Sequence, residues 1–353
     1  MHSRETALSY DDVILIPKYS QIESRFDPDT HGFIKSRQGK EFASFTTPII
    51  SANMDTVTEA HMAIEIAKYG AIGSLHRFMS VEEEVRQFKL VKNSNFGAPV
   101  DCFVTVGIKD WKERTRALVD VGATMFIVDI AHGHSSLMKD AVMGMRREWG
   151  QDILIMAGNV CTGKAVEDLS EWGADIIKAG VGAGAICKTR MVTGHGYPSF
   201  SSLLECSQVA DKIGVQLIAD GGIRTSGDIV KSLVAGADLV MLGSLLAGTD
   251  ESPGEIVEEA HGKRFKVYRG MASHEARVKS NNNVKAASEG VSSVVPYKGS
   301  VRDIIHELTM GIKSGMSYCN ASKLSEISAK AEWKMQTYSA YIEGTPHILR
   351  SGE

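Results

Sequence analysis

Residues 125–180 read MFIVDIAHGHSSLMKDAVMGMRREWGQDILIMAGNVCTGKAVEDLSEWGADIIKAG, and this stretch decides the fold. Three short runs within it, MFIVDIA, ILIMAGNV and DIIKAG, are apolar almost throughout, which is typical of strands buried on both faces of a parallel sheet. Between them lie longer segments with apolar residues three and four positions apart, which predicts amphipathic helices. The stretch therefore predicts parallel strands joined by helices.

The same alternation extends in both directions, beginning at residue 46. Five further strand-like runs share the apolar character: TTPIISAN, AIGSLH, DCFVTVG, VQLIADGG and LVMLGS. In the helix-like segment TEAHMAIEIAKYG, Met62, Ile66 and Tyr69 share one face and Gly70 marks the end. Eight right-handed strand–helix units in one chain are most simply satisfied by a closed (β/α)8 TIM barrel, an α/β fold. An open doubly wound sheet would need a break in the alternation, and the sequence shows none.

The composition is that of a globular protein. The chain has 353 residues, 43% apolar and 23% charged, which is enough to bury a large core. Length alone suggests two domains, but single α/β barrels commonly reach this size, so we predict one domain over residues 1–353. A formal charge of −4 gives no electrostatic basis for binding nucleic acid or an anionic membrane surface.

The cysteines and the apolar runs indicate the compartment. The five cysteines are dispersed and form no C-x-x-C pair, which argues against a disulfide framework or a structural zinc site. No apolar run approaches the roughly 20 residues that span a bilayer, and the N-terminus lacks the apolar region of a signal peptide. We therefore expect a cytoplasmic protein with no membrane partner.

Two segments fall outside the repeat. Residues 1–45 form an N-terminal extension. Residues 251–300 begin with a predicted hairpin, EIVEEAHGKRFKVYRG, that turns at His261 and Gly262. The stretch from His274 to Ala287 is polar and weakly patterned, and a loop of that length in a compact barrel is either a lid or a disordered insert.

A barrel of this kind carries its chemistry at the carboxyl ends of its strands. Polar and glycine-rich segments gather there in this sequence, at residues 53–55, 76–77, 129, 159, 180–187, 220–222 and 243–244. Three alternate glycines, Gly180, Gly182 and Gly184, permit backbone conformations closed to other residues. Cys187 follows them beside Lys188 and Arg190, where a reactive thiolate is expected. We predict that Cys187 is a nucleophile and that the other cysteines are ordinary packing thiols.

The last two strand ends suggest a ligand with ribose and phosphate. Loops after these strands often form a phosphate site, and here they carry Gly221 and Gly222 in one loop and Gly243 and Ser244 in the other. Asp220 adds an acceptor suited to sugar hydroxyls. The P-loop and dinucleotide-binding glycine motifs are absent from the sequence. His132 and His134 lack further ligands, so we do not favour a metal pair there.

Several long motifs resemble the IMP dehydrogenase/GMP reductase family, in the same order and over nearly the full chain. They are LSYDDVILIPKYS, SANMDTVTEAHMA, AGNV, GVGAGAICKTRMVTGHGYP, IADGGI, GADLVMLGSLLAGTDESPGE, YRGMAS and SEGVSSVVPYKGSV. The resemblance implies a (β/α)8 barrel, usually a homotetramer, that binds a purine nucleotide (GMP or IMP) and a nicotinamide cofactor. It also implies that Cys187 attacks C2 of the purine to give a covalent thioimidate, with Thr189 and Glu289 as the acid/base pair.

The resemblance further implies a set of ligand contacts. For the substrate they are Asp220, Gly221, Gly222, Gly243, Ser244, Gly270, Met271, Ala272, Ser288 and Gly290. For the cofactor they are Arg77, Asp129, Ile130, Ala131, Val181, Gly182, Ser314 and Gly315, with Ser24 and Arg25 reaching the cofactor of a neighbouring subunit. Arg77 is expected to contact the extra phosphate of NADP(H), with a surface salt bridge as the alternative. Backbone carbonyls of Gly182, Gly184 and Cys187 would hold a monovalent cation such as K+.

Three features favour the reductase branch of that family. Ser80 leads straight into a helix where dehydrogenases insert a regulatory domain, so we predict no such insert. Only residues 274–287 separate GMAS from SEG, without the Arg-Tyr pair that activates water in dehydrogenases. Tyr197-Pro198 also stands where dehydrogenases have Arg-Pro. The expected activity is NADPH-dependent reductive deamination of GMP to IMP and ammonia.

Two alternatives stay open because the sequence departs from the family pattern. The family's Gly-Pro-Gly-Ser loop is replaced here by Gly182-Ala183-Gly184-Ala185, and position 286 is also alanine. Losing the serine hydroxyl removes a phosphate hydrogen bond, which costs about 1.5–3 kcal/mol if nothing replaces it. The alternatives are a minimal IMP dehydrogenase, which oxidises IMP to XMP with NAD+, and a nucleotide-binding homologue without turnover.

Overall fold

The computed structural model describes residues 6–94, 100–258, 262–271 and 289–346. In the N-terminal extension, a 3-10 turn at Tyr10–Asp12 leads into three strands: β1 (Val13–Leu15), β2 (Gly32–Lys35) and β3 (Glu41–Phe45). β2 and β3 form an antiparallel hairpin, which the sequence analysis did not predict. Gln216, at the start of a barrel strand, bonds to backbone atoms of Phe33 and Lys35 in β2. The hairpin therefore covers the amino end of the barrel, opposite the end expected to carry the chemistry.

Eight parallel strands of the described chain form one sheet. They are β4 (Ile49–Ser51), β5 (Gly73–Leu75), β6 (Cys102–Val106), β7 (Met125–Asp129), β8 (Leu154–Val160), β9 (Ile176–Ala179), β10 (Gln216–Asp220) and β11 (Leu239–Leu242). The first pairs with the last through Ile50 and Met241, and a parallel bridge between Ile50 and Ile72 joins β4 to the chain entering β5. The sheet thus closes on itself, and the predicted barrel is confirmed.

Helices connect the strands and surround the sheet. They are α1 (Ala60–Ala67), α2 (Val81–Lys92), α3 (Trp111–Asp120), α4 (Ser136–Trp149), α5 (Gly163–Trp172), α6 (Thr189–Thr193), α7 (Ser199–Ile213), α8 (Ser226–Val234) and α9 (Val301–Tyr318). The Ser80 side chain accepts the backbone N–H of Glu83 and so caps α2, as expected for a helix that begins directly after Ser80. Met62 and Ile66 are fully buried on α1, which confirms the face predicted for it.

The core lies inside the barrel wall and between the wall and the helices. Strand residues such as Phe103, Phe126, Ile155 and Leu217 have no exposed surface, as the continuous apolar runs predicted. Burying one such side chain stabilises the fold by about 1.5–3 kcal/mol. The wall is therefore rigid enough to hold the strand ends in a fixed arrangement.

A small antiparallel sheet extends from the carboxyl end of the barrel. It consists of β12 (Val257–Glu258), β13 (Arg264–Arg269) and β14 (Ser292–Pro296). The pairing of β12 with β13 confirms the predicted hairpin, although His261 at its turn lies outside the described residues. β14 is an addition that the sequence analysis did not predict. The stretch 274–287, for which a lid and a disordered insert were both considered, also lies outside the described residues.

The chain returns to its starting point after α9. α10 (Ile327–Lys330), β15 (Trp333–Met335) and α11 (Tyr338–Glu343) complete the described elements. β15 pairs antiparallel with β1, so that Met335 lies opposite Val13. Every helix among the described residues is too short or too polar to cross a bilayer.

Candidate active site at the carboxyl end of the barrel

A cavity of about 1060 Å³ opens at the carboxyl end of the barrel strands. Ligand pockets typically measure about 300–1,000 Å³, so this cavity lies at the upper end of that range. Most of the predicted site residues line it. They are Cys187, Thr189, Glu289, Asp220, Gly221, Gly222, Gly243, Ser244, Gly270, Met271, Gly290, Arg77, Asp129, Ile130, Ala131, Val181, Gly182 and Gly184.

A short hydrogen-bonded chain joins the three predicted catalytic side chains. The Cys187 thiol donates to Thr189 Oγ1 at 3.2 Å, and the Thr189 hydroxyl donates to Glu289 Oε2 at 2.9 Å. All three side chains are partly buried and border the cavity. A thiol, a hydroxyl and a carboxylate in this order can pass a proton from sulfur to carboxylate and back.

Backbone hydrogen bonds hold the segments that carry these three side chains together. Lys188 N–H donates to the Glu289 carbonyl at 2.7 Å, and Val291 N–H donates to the Ile186 carbonyl at 3.1 Å. Cys187 and Gly290 form the antiparallel bridge between these bonds. The segment that leads into β14 therefore pairs with the cysteine loop, which brings residues 100 positions apart in sequence into contact.

Tight glycine geometry shapes the floor of the cavity beside the cysteine loop. Gly180 has φ of +147°, and a Cβ there would lie 1.8 Å from the carbonyl oxygen of Asp220. Gly221 has φ of +94° and packs against the backbone of Gly184. Both positions require glycine, because a side chain would force the cysteine loop away from the turn after β10.

A buried tyrosine approaches the other glycine loop. Tyr268 on β13 is 4% exposed, and a Cβ built on Gly243 would lie 2.9 Å from its hydroxyl oxygen. Burial, together with the charge of Asp220, raises the pKa of Tyr268. Its hydroxyl is therefore a neutral hydrogen-bond donor on the cavity wall.

Charged groups converge where β7, β9 and β10 end. Lys178 Nζ lies 3.0 Å from Asp129 Oδ1 and 2.7 Å from Asp220 Oδ2. Asn159 Nδ2 also donates to Asp220 Oδ2, at 2.9 Å, while its own Oδ1 is buried without a partner among the described residues. The two carboxylates are each about one-fifth exposed and border the cavity.

Arg77 borders a second part of the cavity. Its guanidinium lies over the Phe78 ring, 4.8 Å from the centroid, and its Nε is buried without a hydrogen-bond partner in the described chain. Among the described residues no carboxylate lies within ion-pair distance of Arg77, so the surface salt bridge considered above is not formed there. An unpaired guanidinium beside a cavity is suited to binding an anionic group.

Six predicted contacts are not among the residues that border this cavity. The Arg25 guanidinium lies over the Tyr318 ring, and Ser24 is close to it in the same N-terminal segment. Ser314 and Gly315 lie on α9, where Gly315 packs against Val230 of α8. Ala272 and Ser288 lie outside the described residues.

A side-chain metal site is not formed by the described residues, since no group of three or more His, Cys, Asp or Glu is placed to hold an ion. His134 instead pairs with Asp168, with Nε2 2.8 Å from the carboxylate. In the cysteine loop, the Gly184 carbonyl accepts the Cys187 N–H at 3.0 Å and keeps a second lone pair.

Comparison with known proteins identifies the family. Residues 7–347 match the model of the IMP dehydrogenase / GMP reductase domain. The chain belongs to the IMP dehydrogenase/GMP reductase family. Its members are oxidoreductases of purine metabolism that use a nicotinamide cofactor and bind purine nucleotides.

Relatives within the family carry both names. The chain is 36% identical to GMP reductase of Vibrio atlanticus, over 93% of this chain and 94% of that one. It is 31% identical to inosine-5'-monophosphate dehydrogenase of Nitrosopumilus maritimus, over 96% of this chain and 98% of that one. A solved structure of a cysteine-to-alanine variant of GMP reductase from Trypanosoma brucei, in complex with guanosine 5'-monophosphate, matches with a TM-score of 0.92, 29% identity and 99% coverage of both chains.

Three of the polar cavity residues described above were not among the predicted contacts. Lys178 and Tyr268 were not singled out, and Asn159 was noted only as a polar strand end. A lysine inside the otherwise apolar run DIIKAG was the available signal for Lys178, because a buried charge needs a partner. For Tyr268 the signal was weak, since alternate residues of a hairpin strand face a neighbour whether or not a ligand is present.

Proposed function

We propose that this protein catalyses the NADPH-dependent reductive deamination of GMP to IMP and ammonia. The observation that carries the proposal is the hydrogen-bonded chain from the Cys187 thiol through Thr189 to Glu289. Deamination needs a nucleophile for C2 of the purine and a proton for the departing amine. The hydrogen-bonded side chains supply both. The short segment 274–287 without an Arg-Tyr pair supports the reductase reaction rather than hydrolysis of the adduct.

In the proposed mechanism one proton moves from the thiol to the carboxylate and then to the substrate. Cys187 passes its proton through the Thr189 hydroxyl to Glu289, and the thiolate adds to C2 of GMP. Glu289 returns the proton through Thr189 to the exocyclic nitrogen, which leaves as ammonia and produces the thioimidate. NADPH, when bound, supplies the hydride for C2, after which Cys187 leaves as thiolate and IMP remains. Proton relays of this kind typically contribute 10²–10⁴-fold to the rate.

The nucleotide has matching contacts along the cavity. Asp220 presents a carboxylate oxygen to the ribose hydroxyls, and the glycine turns at 221–222 and 243–244 offer backbone N–H groups to the phosphate. The Tyr268 hydroxyl lies beside Gly243 and would donate a further hydrogen bond to the phosphate, in place of the hydroxyl that Ala185 lacks. Gly270, Met271 and Gly290 line the cavity, where they would border the purine.

The residues present also fit the cofactor and the cation. The unpaired Arg77 guanidinium suits the 2′-phosphate that distinguishes NADPH from NADH, and Asp129 suits a cofactor ribose. Backbone carbonyls of Gly182, Gly184 and Cys187 are the neutral oxygen ligands that a monovalent cation such as K+ takes. The cation would hold the cysteine loop in its catalytic conformation.

The proposal includes a homotetramer. Ser24, Arg25, Ser314 and Gly315 are not among the residues that border the cavity of their own chain, so a cofactor role for them requires a neighbouring copy. In the same N-terminal segment as Arg25, Tyr19 and Phe26 are largely exposed, as residues of a subunit interface are in a single chain. Five free cysteines are compatible with the reducing cytoplasm expected for the protein.

One assay separates this proposal from its alternatives. Purified protein is incubated with GMP or IMP and with NADPH or NAD+, and nicotinamide absorbance and released ammonia are followed. We expect oxidation of NADPH and release of ammonia with GMP only. Formation of XMP from IMP and NAD+ would instead establish an IMP dehydrogenase. The relatives named inosine-5'-monophosphate dehydrogenase favour this alternative. Calorimetric binding of GMP without turnover would establish a non-catalytic homologue.

A further inference from the structure

Lys178 is a buried charge inside the barrel wall. It is 3% exposed and lies on β9 between the fully buried Ile177 and the buried Ala179. Gly158 on the adjacent strand β8 makes room for it, because a Cβ there would lie 2.7 Å from the Lys178 Cβ. A lone buried ammonium is costly, so its position has to be explained by its partners.

Its partners are the two carboxylates that the proposed function assigns to different ligands. Nζ is bonded to one oxygen of Asp220, the acceptor for the nucleotide ribose, and to one oxygen of Asp129, the acceptor for the cofactor ribose. The remaining oxygens, Asp220 Oδ1 and Asp129 Oδ2, have no hydrogen-bond partner among the described residues. Each carboxylate therefore keeps one oxygen for a sugar hydroxyl.

The ammonium stays charged in this position. Burial alone lowers the pKa of Lys178, but the negative charges of Asp129 and Asp220 and their hydrogen bonds raise it by more, so its pKa lies above the ordinary value. Without the ammonium, two carboxylates would face each other within reach of one another and repel. Lys178 thus links the two carboxylates through one ammonium.

We propose that Lys178 is a positioning residue that couples the binding of the nucleotide to the binding of the cofactor. A ribose that binds Asp220 fixes the carboxylate, the ammonium bonded to it and, through that ammonium, Asp129. The second ligand then meets an acceptor that is already oriented, so it loses less free energy in ordering the site. By linkage the effect is reciprocal, and each ligand tightens the other by the same factor. This inference rests on the proposed function.

The test measures binding rather than turnover. IMP paired with NADPH does not react, because IMP has no amino group to lose and the reduced cofactor cannot accept a hydride. Calorimetry then yields the Kd of IMP with and without saturating NADPH, and the Kd of NADPH with and without IMP. We expect each ligand to tighten the other about tenfold in the unmodified protein, within the usual range of such couplings.

Three substitutions at this position separate coupling from general disruption. In Lys178→Met the coupling factor should fall to near one, while Lys178→Arg should retain most of it because the guanidinium can bond both carboxylates. If Lys178→Met does not fold, Lys178→Gln replaces it, since its amide donates to one carboxylate at a time. The control is Lys266→Met, which removes an equally buried ammonium bonded to backbone carbonyls of Thr249 and Ser252. It should lower stability and leave the coupling factor unchanged.

If Lys178 has a purely structural role, its replacement weakens the binding of both ligands and leaves the coupling factor unchanged. That result overturns the inference. An unmodified protein that shows no coupling overturns it as well. If either result accompanies turnover of GMP with NADPH, the proposed function stands and only the coupling is rejected. An unmodified protein that binds neither ligand contradicts both proposals.

Discussion

At the scale of single residues, the position of one hydroxyl decides the chemistry available to the site. Thr189 Oγ1 accepts from the Cys187 thiol and donates to Glu289 Oε2, so it stands in series between them. Among the described residues, the thiol and the carboxylate make no direct hydrogen bond to each other. The acid/base function therefore depends on a side chain that is not itself appreciably acidic or basic.

Replacing Thr189 by the isosteric Val should interrupt this series. We expect kcat to fall by about 10²–10⁴-fold, with the Kd of GMP nearly unchanged because the hydroxyl contributes to proton transfer rather than binding. Steady-state kinetics and calorimetry measure the two effects. Thr193→Val, on the same short helix, is the control and should retain most activity. Near-normal kcat in Thr189→Val would exclude the relay.

The Cys187→Ala variant tests the covalent step. It should abolish turnover and keep the Kd of GMP within about tenfold, since affinity is spread over ribose and phosphate contacts. Mass spectrometry of the unmodified protein quenched during turnover should detect the nucleotide adduct on this thiol. Cys161→Ala removes a half-buried thiol that does not border the cavity and should behave normally. Turnover by Cys187→Ala would rule out covalent catalysis.

Cofactor preference should reside in Arg77. Removing the charge in Arg77→Gln deletes a charge-assisted hydrogen bond worth about 1.5–3 kcal/mol, so the KM for NADPH should rise roughly ten- to a hundredfold. The KM for NADH should change little, because NADH lacks the phosphate. Arg86→Gln on α2 removes an exposed guanidinium paired with Glu83 and serves as the matched control. Equal changes for both cofactors would mean that Arg77 binds something other than the 2′-phosphate.

At the scale of elements, the outer helices pack through glycines. Gly315 of α9 faces Val230 of α8, and a Cβ at position 315 would lie 2.7 and 2.9 Å from the two Val230 methyl groups. Gly311, one turn earlier, faces Ser226 in the same way. Both positions are glycine because α8 and α9 approach each other closely there. This reason holds whether or not Gly315 also contacts a cofactor.

Gly315→Ala should therefore destabilise the barrel. Overpacking of this kind costs about 1–3 kcal/mol, which urea denaturation would report as a lower midpoint with an unchanged slope. Gly227→Ala is a suitable control, because this position in α8 has only Thr225 nearby and alanine favours helix. A midpoint for Gly315→Ala at or above that of the unmodified protein would show that α8 and α9 separate easily.

The elements differ in how far the sequence alone could predict them. Each barrel strand is a continuous apolar run, because both of its faces are buried, and such runs were recognised without structural information. The β2–β3 hairpin exposes one face, and β14 is exposed along most of its length. Both have short mixed sequences, so their pattern resembles that of a loop. Cys187 follows a conspicuous glycine loop, whereas its contact with Glu289 depends on a backbone bridge that no local pattern encodes. The roles of Thr189 and Glu289 accordingly came from family resemblance.

At the scale of the whole molecule, ligand binding and folding are linked. The cavity is formed by the ends of strands that lie in one closed sheet, so the unfolded chain has no nucleotide site. GMP at about a hundred times its Kd should raise the free energy of unfolding by about 2.7 kcal/mol. Thermal unfolding with and without GMP measures this shift.

Variants separate binding from catalysis in the same experiment. Cys187→Ala should show nearly the full GMP-dependent shift, since it loses the reaction but keeps the phosphate and ribose contacts. Asp220→Asn should show a smaller shift, because the ribose loses a charged acceptor. A protein whose melting temperature does not respond to GMP at any concentration would contradict the proposed nucleotide site.

The pairing of β1 with β15 places Ile14 beside Lys334, so positions near the two ends of the polypeptide are neighbours on one surface. Donor and acceptor dyes attached at the same two positions would exchange energy efficiently in the folded protein and lose that signal when the barrel opens. Energy transfer between these two positions would therefore report the folding of the whole barrel.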